Sequence, residues 1–102
     1  MFSFVKSLFG PDTDYKALLQ SGAVIVDVRT PGEFDSGHIK GARNIPVDTI
    51  RARVGELKKL NKPVITCCAS GARSGMAKSM LRASGIDAYN GGPWTSLQNK
   101  IR

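Results

Sequence analysis

The segment Val64-Ile65-Thr66-Cys67-Cys68-Ala69-Ser70-Gly71-Ala72-Arg73-Ser74 constrains this chain more than any other. A β-branched apolar run ends in cysteine, crosses a short glycine-containing turn and enters a helix-forming stretch near Arg73. A strand, a tight loop and a helix N-terminus in that order aim backbone N–H groups and the positive end of a helix dipole at one spot. Cys68 faces that spot. Amide dipoles and the Arg73 cation favour its thiolate, which is the nucleophilic form of the side chain. The loop therefore reads as a cradle for an anionic sulfur, with Cys68 as nucleophile. Ala69, Ser70, Gly71, Ala72, Arg73 and Ser74 are the residues expected to bind whatever reacts there.

The remaining chain supplies a matching frame. Ala23-Val24-Ile25-Val26-Asp27-Val28 is a second nearly continuous β-branched run, the pattern of a strand buried on both faces. Ala42 to Ile45, stopped by Pro46, and Ile86 to Tyr89 read as shorter strands, the last followed by the turn Asn90-Gly91-Gly92-Pro93. Helical patterns lie between them. Tyr15–Gln20 follows a cap at Asp12, and Thr30-Pro31-Gly32-Glu33 is a capping box with proline at the first helical position. Asp48 is placed to cap a helix carrying Ile50, Val54, Leu57 and Leu60. Met76, Met80 and Leu81 give the helix after the loop a buried stripe, and Trp94 to Ile101 closes the chain as a helix. Strands alternating with helices predict an α/β fold: a mostly parallel central sheet flanked by helices on both faces. Ligands in such sheets bind beyond the carboxyl ends of strands, where Cys68 stands. Arg29, just past another strand end, is expected to line the same crevice and contact an anionic substrate.

Charge and cysteine content narrow the chemistry. Residues 1–56 hold seven Lys/Arg and seven Asp/Glu, whereas residues 57–102 hold eight against Asp87 alone, so the net +7 lies in the half containing Cys68. That excess attracts small anions or an acidic protein partner. No basic run interleaved with aromatics points to nucleic acid. Two adjacent cysteines fit a reducing compartment, and one histidine with no spaced cysteine pair offers no zinc site. No apolar run approaches the roughly 20 residues of a membrane-spanning helix, and residues 1–11 lack the features of a signal peptide. Those residues are expected to form an N-terminal arm packed on a domain of residues 12–102, with Phe2, Val5, Leu8 and Phe9 on one helical face; a weak membrane-surface contact is the rival expectation. The expected location is the cytoplasm.

Three motifs carry a family resemblance, over about Tyr15 to Trp94. Asp27-Val28-Arg29-Thr30-Pro31-Gly32-Glu33-Phe34 with Gly37-His38-Ile39-Lys40-Gly41-Ala42-Arg43-Asn44-Ile45-Pro46, then Cys68-x-x-Gly71-x-Arg73-Ser74, then Gly91-Gly92 with Trp94, resemble the signatures of rhodanese-like domains. These are sulfurtransferases that carry sulfur as a cysteine persulfide. The resemblance implies a Cys68 persulfide and no cofactor or metal. It implies a small anionic donor such as thiosulfate and a thiophilic acceptor, including a protein thiol. His38 then reads as a packing and hydrogen-bonding residue rather than a base. Phosphatases of similar fold have five residues between cysteine and arginine; here four separate Cys68 from Arg73, which favours sulfur over phosphate or arsenate chemistry. A protein-to-protein persulfide relay with little thiosulfate activity is the alternative.

Overall fold

A computed structural model describes residues 13–102. The expected arm over residues 1–11 and the expected cap at Asp12 lie outside them. Within the described residues, Asp14 caps the first helix, α1 (Tyr15–Gln20), accepting the Ala17 N–H at 3.0 Å. Strand β1 (Val24–Asp27) follows, then helix α2 (Pro31–Asp35) and the two-residue strand β2 (Arg43–Asn44). A 3₁₀ turn (Val47–Thr49) leads into α3 (Ile50–Leu60); β3 (Val64–Cys68), α4 (Ala72–Ala83), β4 (Ala88–Pro93) and α5 (Trp94–Lys100) complete the order.

The sheet runs β2-β1-β3-β4 and every pairing is parallel. Both faces are covered, as the β-branched runs of β1 and β3 require. On one face Val26, Val64 and Cys68 pack with Ile50 and Leu57 of α3 and Ala77 and Leu81 of α4. On the other, Ile25, Ile65 and Cys67 pack with Leu97 of α5, backed by Leu18, Leu19 and Trp94. Each large apolar side chain so buried contributes about 1.5–3 kcal/mol before conformational entropy is subtracted.

Three local expectations are corrected. Asp48 does not cap α3. It sits inside the 3₁₀ turn that Pro46 initiates, where the Thr49 N–H and hydroxyl both donate to the Pro46 carbonyl at 2.9 Å. The buried stripe of α4 is Ser74, Ala77 and Leu81, and Met76 is 56% exposed. At 100° per residue Met76 points nearly opposite to Ser74, so helical phase rather than hydrophobicity decides its place. Finally, Asn90 to Pro93 is strand rather than turn. A bulge opposite Thr66–Cys68 keeps β4 paired through Pro93, opposite Cys68.

Glycine is required where β4 bulges. A Cβ on Gly91 would lie 2.9 Å from both the Thr66 carbonyl oxygen and Leu97 Cδ2. That close approach seats α5 and β4 against the strand that carries the cysteines.

Candidate active site

Period-two alternation along β3 separates the two cysteines. Cys67 turns toward α5 and Cys68 toward α4. After Cys68 the chain reverses at Ala69–Ser70 and enters α4 through Gly71, whose φ of +100° lies in the left-handed region that favours glycine. A Cβ there would also approach Gly92 Cα at 3.4 Å. The tight reversal turns amides back on the sulfur. Gly71 N–H donates to Cys68 Sγ at 2.9 Å and Ser74 N–H at 3.4 Å, with Ser74 Oγ at 3.3 Å. The first turn of α4 adds its dipole at the same point.

The electrostatics follow from that geometry. Burial is the largest single influence on Cys68 and pushes its thiol up. The Ser74 hydroxyl and the N–H groups of Ser74, Gly71 and Ser70 together outweigh it, leaving Cys68 below the ordinary thiol value. Cys67 has no such donors. Burial first, and then the Asp27 carboxylate, push it up to about 12. Of two neighbouring thiols, one is poised to ionise and the other stays neutral.

Arg73, whose cation was expected to charge the loop, also anchors it. Its guanidinium grips Glu33 through two bonds, Nη1 to Oε1 at 2.7 Å and Nη2 to Oε2 at 3.0 Å. This fork ties α4 to α2 and, with the Thr30 cap, holds the Glu33 carboxyl down at about 2. The fall of the Cys68 thiol comes from hydrogen-bond donors, not chiefly from Arg73. Glu33 serves twice: its Oε1 also accepts the Thr30 N–H at 3.0 Å in the capping box.

Arg29 does not line the crevice. It is 4% exposed, and its Nε and Nη2 bind the fully buried Asp27 carboxylate at 2.7–3.1 Å. Nη1 donates to the Glu33 carbonyl and Nη2 to the Gly37 carbonyl, and the guanidinium lies 4.8 Å over the Trp94 ring. A side chain with these partners braces β1, α2 and α5; it has no free fork for an anion. Ala69, Ser70, Gly71, Ala72, Arg73 and Ser74 do gather around Cys68, with Ala69, Ser70 and Ala72 exposed at the rim and Ser74 buried. His38 bonds the Phe34 carbonyl at 2.7 Å and stacks on the Phe34 ring.

Sequence reasoning missed Asn90. Its carboxamide joins three parts of the loop's support: Ser74 Oγ at 2.7 Å, the Gly92 N–H at 2.9 Å and the Gly71 carbonyl at 3.1 Å. Tyr15 donates to its backbone carbonyl at 2.8 Å. Asn90-Gly91-Gly92 carries an ordinary turn signal, so nothing in the sequence marked the side chain. Thr66 adds a further tie, donating to the Ser74 carbonyl at 2.8 Å.

The sequence profile of the family described as Rhodanese-like domain matches residues 12–93. The chain belongs to the rhodanese family. A Pseudomonas syringae pv. syringae protein named thiosulfate sulfurtransferase GlpE is 35% identical over 81 residues, covering 78% of this chain and 76% of that one. Uncharacterized protein YqhL of Bacillus subtilis (strain 168) is 45% identical over 69 residues, 67% of this chain; the match spans 54% of that relative, about half its length. The crystal structure of a rhodanese-like domain protein from Staphylococcus aureus is 32% identical, covers 92% of this chain and 83% of its own, and superposes with a TM-score of 0.68. Among the described residues, no helix is long and apolar enough to cross a membrane. No three His, Cys, Asp or Glu side chains among them cluster as a metal site requires.

Proposed function

We propose that this rhodanese is a sulfurtransferase that moves sulfane sulfur from a donor to a thiophilic acceptor through a persulfide on Cys68. The observation that carries the reading is Cys68 Sγ held by the N–H groups of Gly71 and Ser74 at the head of α4. Loading begins when the Cys68 thiolate attacks the outer sulfur of the donor. With thiosulfate, the donor S–S bond breaks, sulfite leaves with the bonding electron pair, and Cys68–S–S⁻ remains. The loop amides of residues 69–74 stabilise charge on the terminal sulfur by preorganised donors. An acceptor thiolate then attacks that sulfur, breaking the bond to Sγ and restoring the Cys68 thiolate. The name of the Pseudomonas syringae relative supports thiosulfate as a donor. Adjacent free cysteines suit a reducing compartment such as the cytoplasm.

One observation favours a protein-to-protein persulfide relay as a second reading. The loop's sole cation, Arg73, is bound to Glu33, and the rim residues Ala69, Ser70 and Ala72 are uncharged. Such a rim gives a thiosulfate dianion little local charge to bind, whereas a persulfide donor brings one negative charge and its own contacts. Single-turnover loading from thiosulfate and from a small-molecule persulfide separates the two. Comparable rates at millimolar donor support the thiosulfate enzyme, and loading from the persulfide alone supports the relay. Faster hydrolysis of an aryl phosphate than transfer of sulfur would overturn both.

A further inference from the structure

The Asn90 carboxamide has one orientation open to it. Nδ2 donates to the Gly71 carbonyl and Oδ1 accepts the Gly92 N–H. Turning the amide over would set oxygen against oxygen and N–H against N–H, so the backbone fixes both ends. Ser74 Oγ lies 2.7 Å from Oδ1, which is an acceptor, so the serine is the donor in that bond. A serine hydroxyl carries one proton. With that proton directed at Asn90 Oδ1, Ser74 Oγ presents a lone pair to Cys68 Sγ at 3.3 Å. The chain S–H to Oγ, then Oγ–H to Oδ1, matches a thiol. For the hydroxyl to join the Gly71 and Ser74 amides in holding a thiolate, it must swing toward sulfur, leaving Oδ1 with the Gly92 N–H alone.

We propose that Asn90 is a positioning residue acting on Cys68 through Ser74: its Oδ1 competes with the sulfur for the single Ser74 proton and so sets how readily the thiolate forms. The inference deepens the proposed function and rests on Cys68 as its reactive group, but not on the identity of the donor. The balance is simple. On ionisation the Cys68 proton leaves to solvent, the Ser74 proton changes partner while staying on Oγ, and no heavy-atom bond changes. Once an outer sulfur is attached, negative charge moves from Sγ to that atom, and the Ser74 proton can return to Asn90.

The charged side chains around Cys68 are already paired. Arg73 of α4 is neutralised by Glu33 of α2, and Asp27 of β1 by Arg29. Cys67, on the opposite face of β3, has its thiol pushed up to about 12 by burial and by the Asp27 carboxylate, so it does not ionise with Cys68.

The test is the pH midpoint of Cys68 ionisation, read by ultraviolet thiolate absorbance and by the rate of iodoacetamide alkylation, in a double-mutant cycle. Asn90→Ala frees the Ser74 proton for sulfur and is expected to lower the midpoint by about one pH unit, the size of a charge-assisted hydrogen bond. Ser74→Ala should raise it. In the Ser74→Ala background, Asn90→Ala should shift it no further downward. If Asn90 merely holds the loop through Gly71, its loss misaligns the amides and raises the midpoint in both backgrounds. That result, no shift at all, or equal shifts in both backgrounds overturns the proposal. Should Asn90→Ala fail to fold, Asn90→Ser keeps an acceptor for the Gly92 N–H but withdraws it from Ser74, and the same downward shift is expected. Neither readout involves a sulfur donor, so a variant series that behaves as stated in a protein taking no sulfur would refute the transfer reading alone.

Discussion

Replacing Arg29 by methionine tests whether this residue braces the fold or binds substrate. Methionine keeps most of the side-chain bulk and removes the guanidinium. Asp27, fully buried, would retain only the residue 29 backbone N–H at 3.1 Å, while the Gly37 carbonyl loses a donor at 2.7 Å. Removing one partner of a buried ion pair costs about 3–5 kcal/mol, because the other charge is left uncompensated. For a domain whose total stability is about 5–15 kcal/mol, that is a large fraction. With a urea m-value of about 1.5 kcal/mol/M, the unfolding midpoint should fall by about 2–3 M. Far-UV circular dichroism against urea measures it, alongside sulfur loading of the folded fraction. Asp27→Asn combined with Arg29→Met should recover part of the loss, since the stranded charge is gone. A midpoint within about 0.3 M of wild type, accompanied by loss of loading, would refute the brace and restore Arg29 as an anion contact.

Two further outcomes rest on single contacts. Gly91→Ala forces a Cβ to within 2.9 Å of the Thr66 carbonyl oxygen and Leu97 Cδ2 and should destabilise the domain by about 1–3 kcal/mol, read from the same urea titration. Glu33 has a folded pKa of about 2 against an ordinary 4.5, so its stabilising contribution is complete above pH 4.5 and is lost as pH falls toward 2. Glu33→Gln should therefore flatten the decline of the urea midpoint between those pH values; an unchanged acid limb would mean that the Arg73 fork does not hold in solution.

Much of the fold was readable because β1 and β3 are β-branched runs that only a sheet buried on both faces accommodates. The cradle was readable for a related reason: a cysteine at a strand end followed by a glycine-led helix has few alternative geometries. What failed were choices made by tertiary context. Arg29 at a strand end looks identical whether it faces solvent or Asp27, and only the fold of α2 and Trp94 over it decides. Met76 is apolar yet exposed because helix phase is fixed by Ser74, which must reach Cys68. Asn90 was hidden because a bulge, invisible in sequence, turns a chain segment with turn composition into strand and aims its carboxamide at the loop. Glu33 was readable as a capping residue, and the packing of α2 against α4 lets the same carboxylate hold Arg73 as well.

The most direct measurement of the central claim is the intact mass of the protein after incubation with thiosulfate, and separately with a small-molecule persulfide, for wild type, Cys68→Ser and Cys67→Ser. Wild type and Cys67→Ser should each gain the mass of one sulfur atom, removable by a thiol, and Cys68→Ser should gain none. Sulfur retained on folded Cys68→Ser, or none on wild type from either donor, would contradict a Cys68 persulfide.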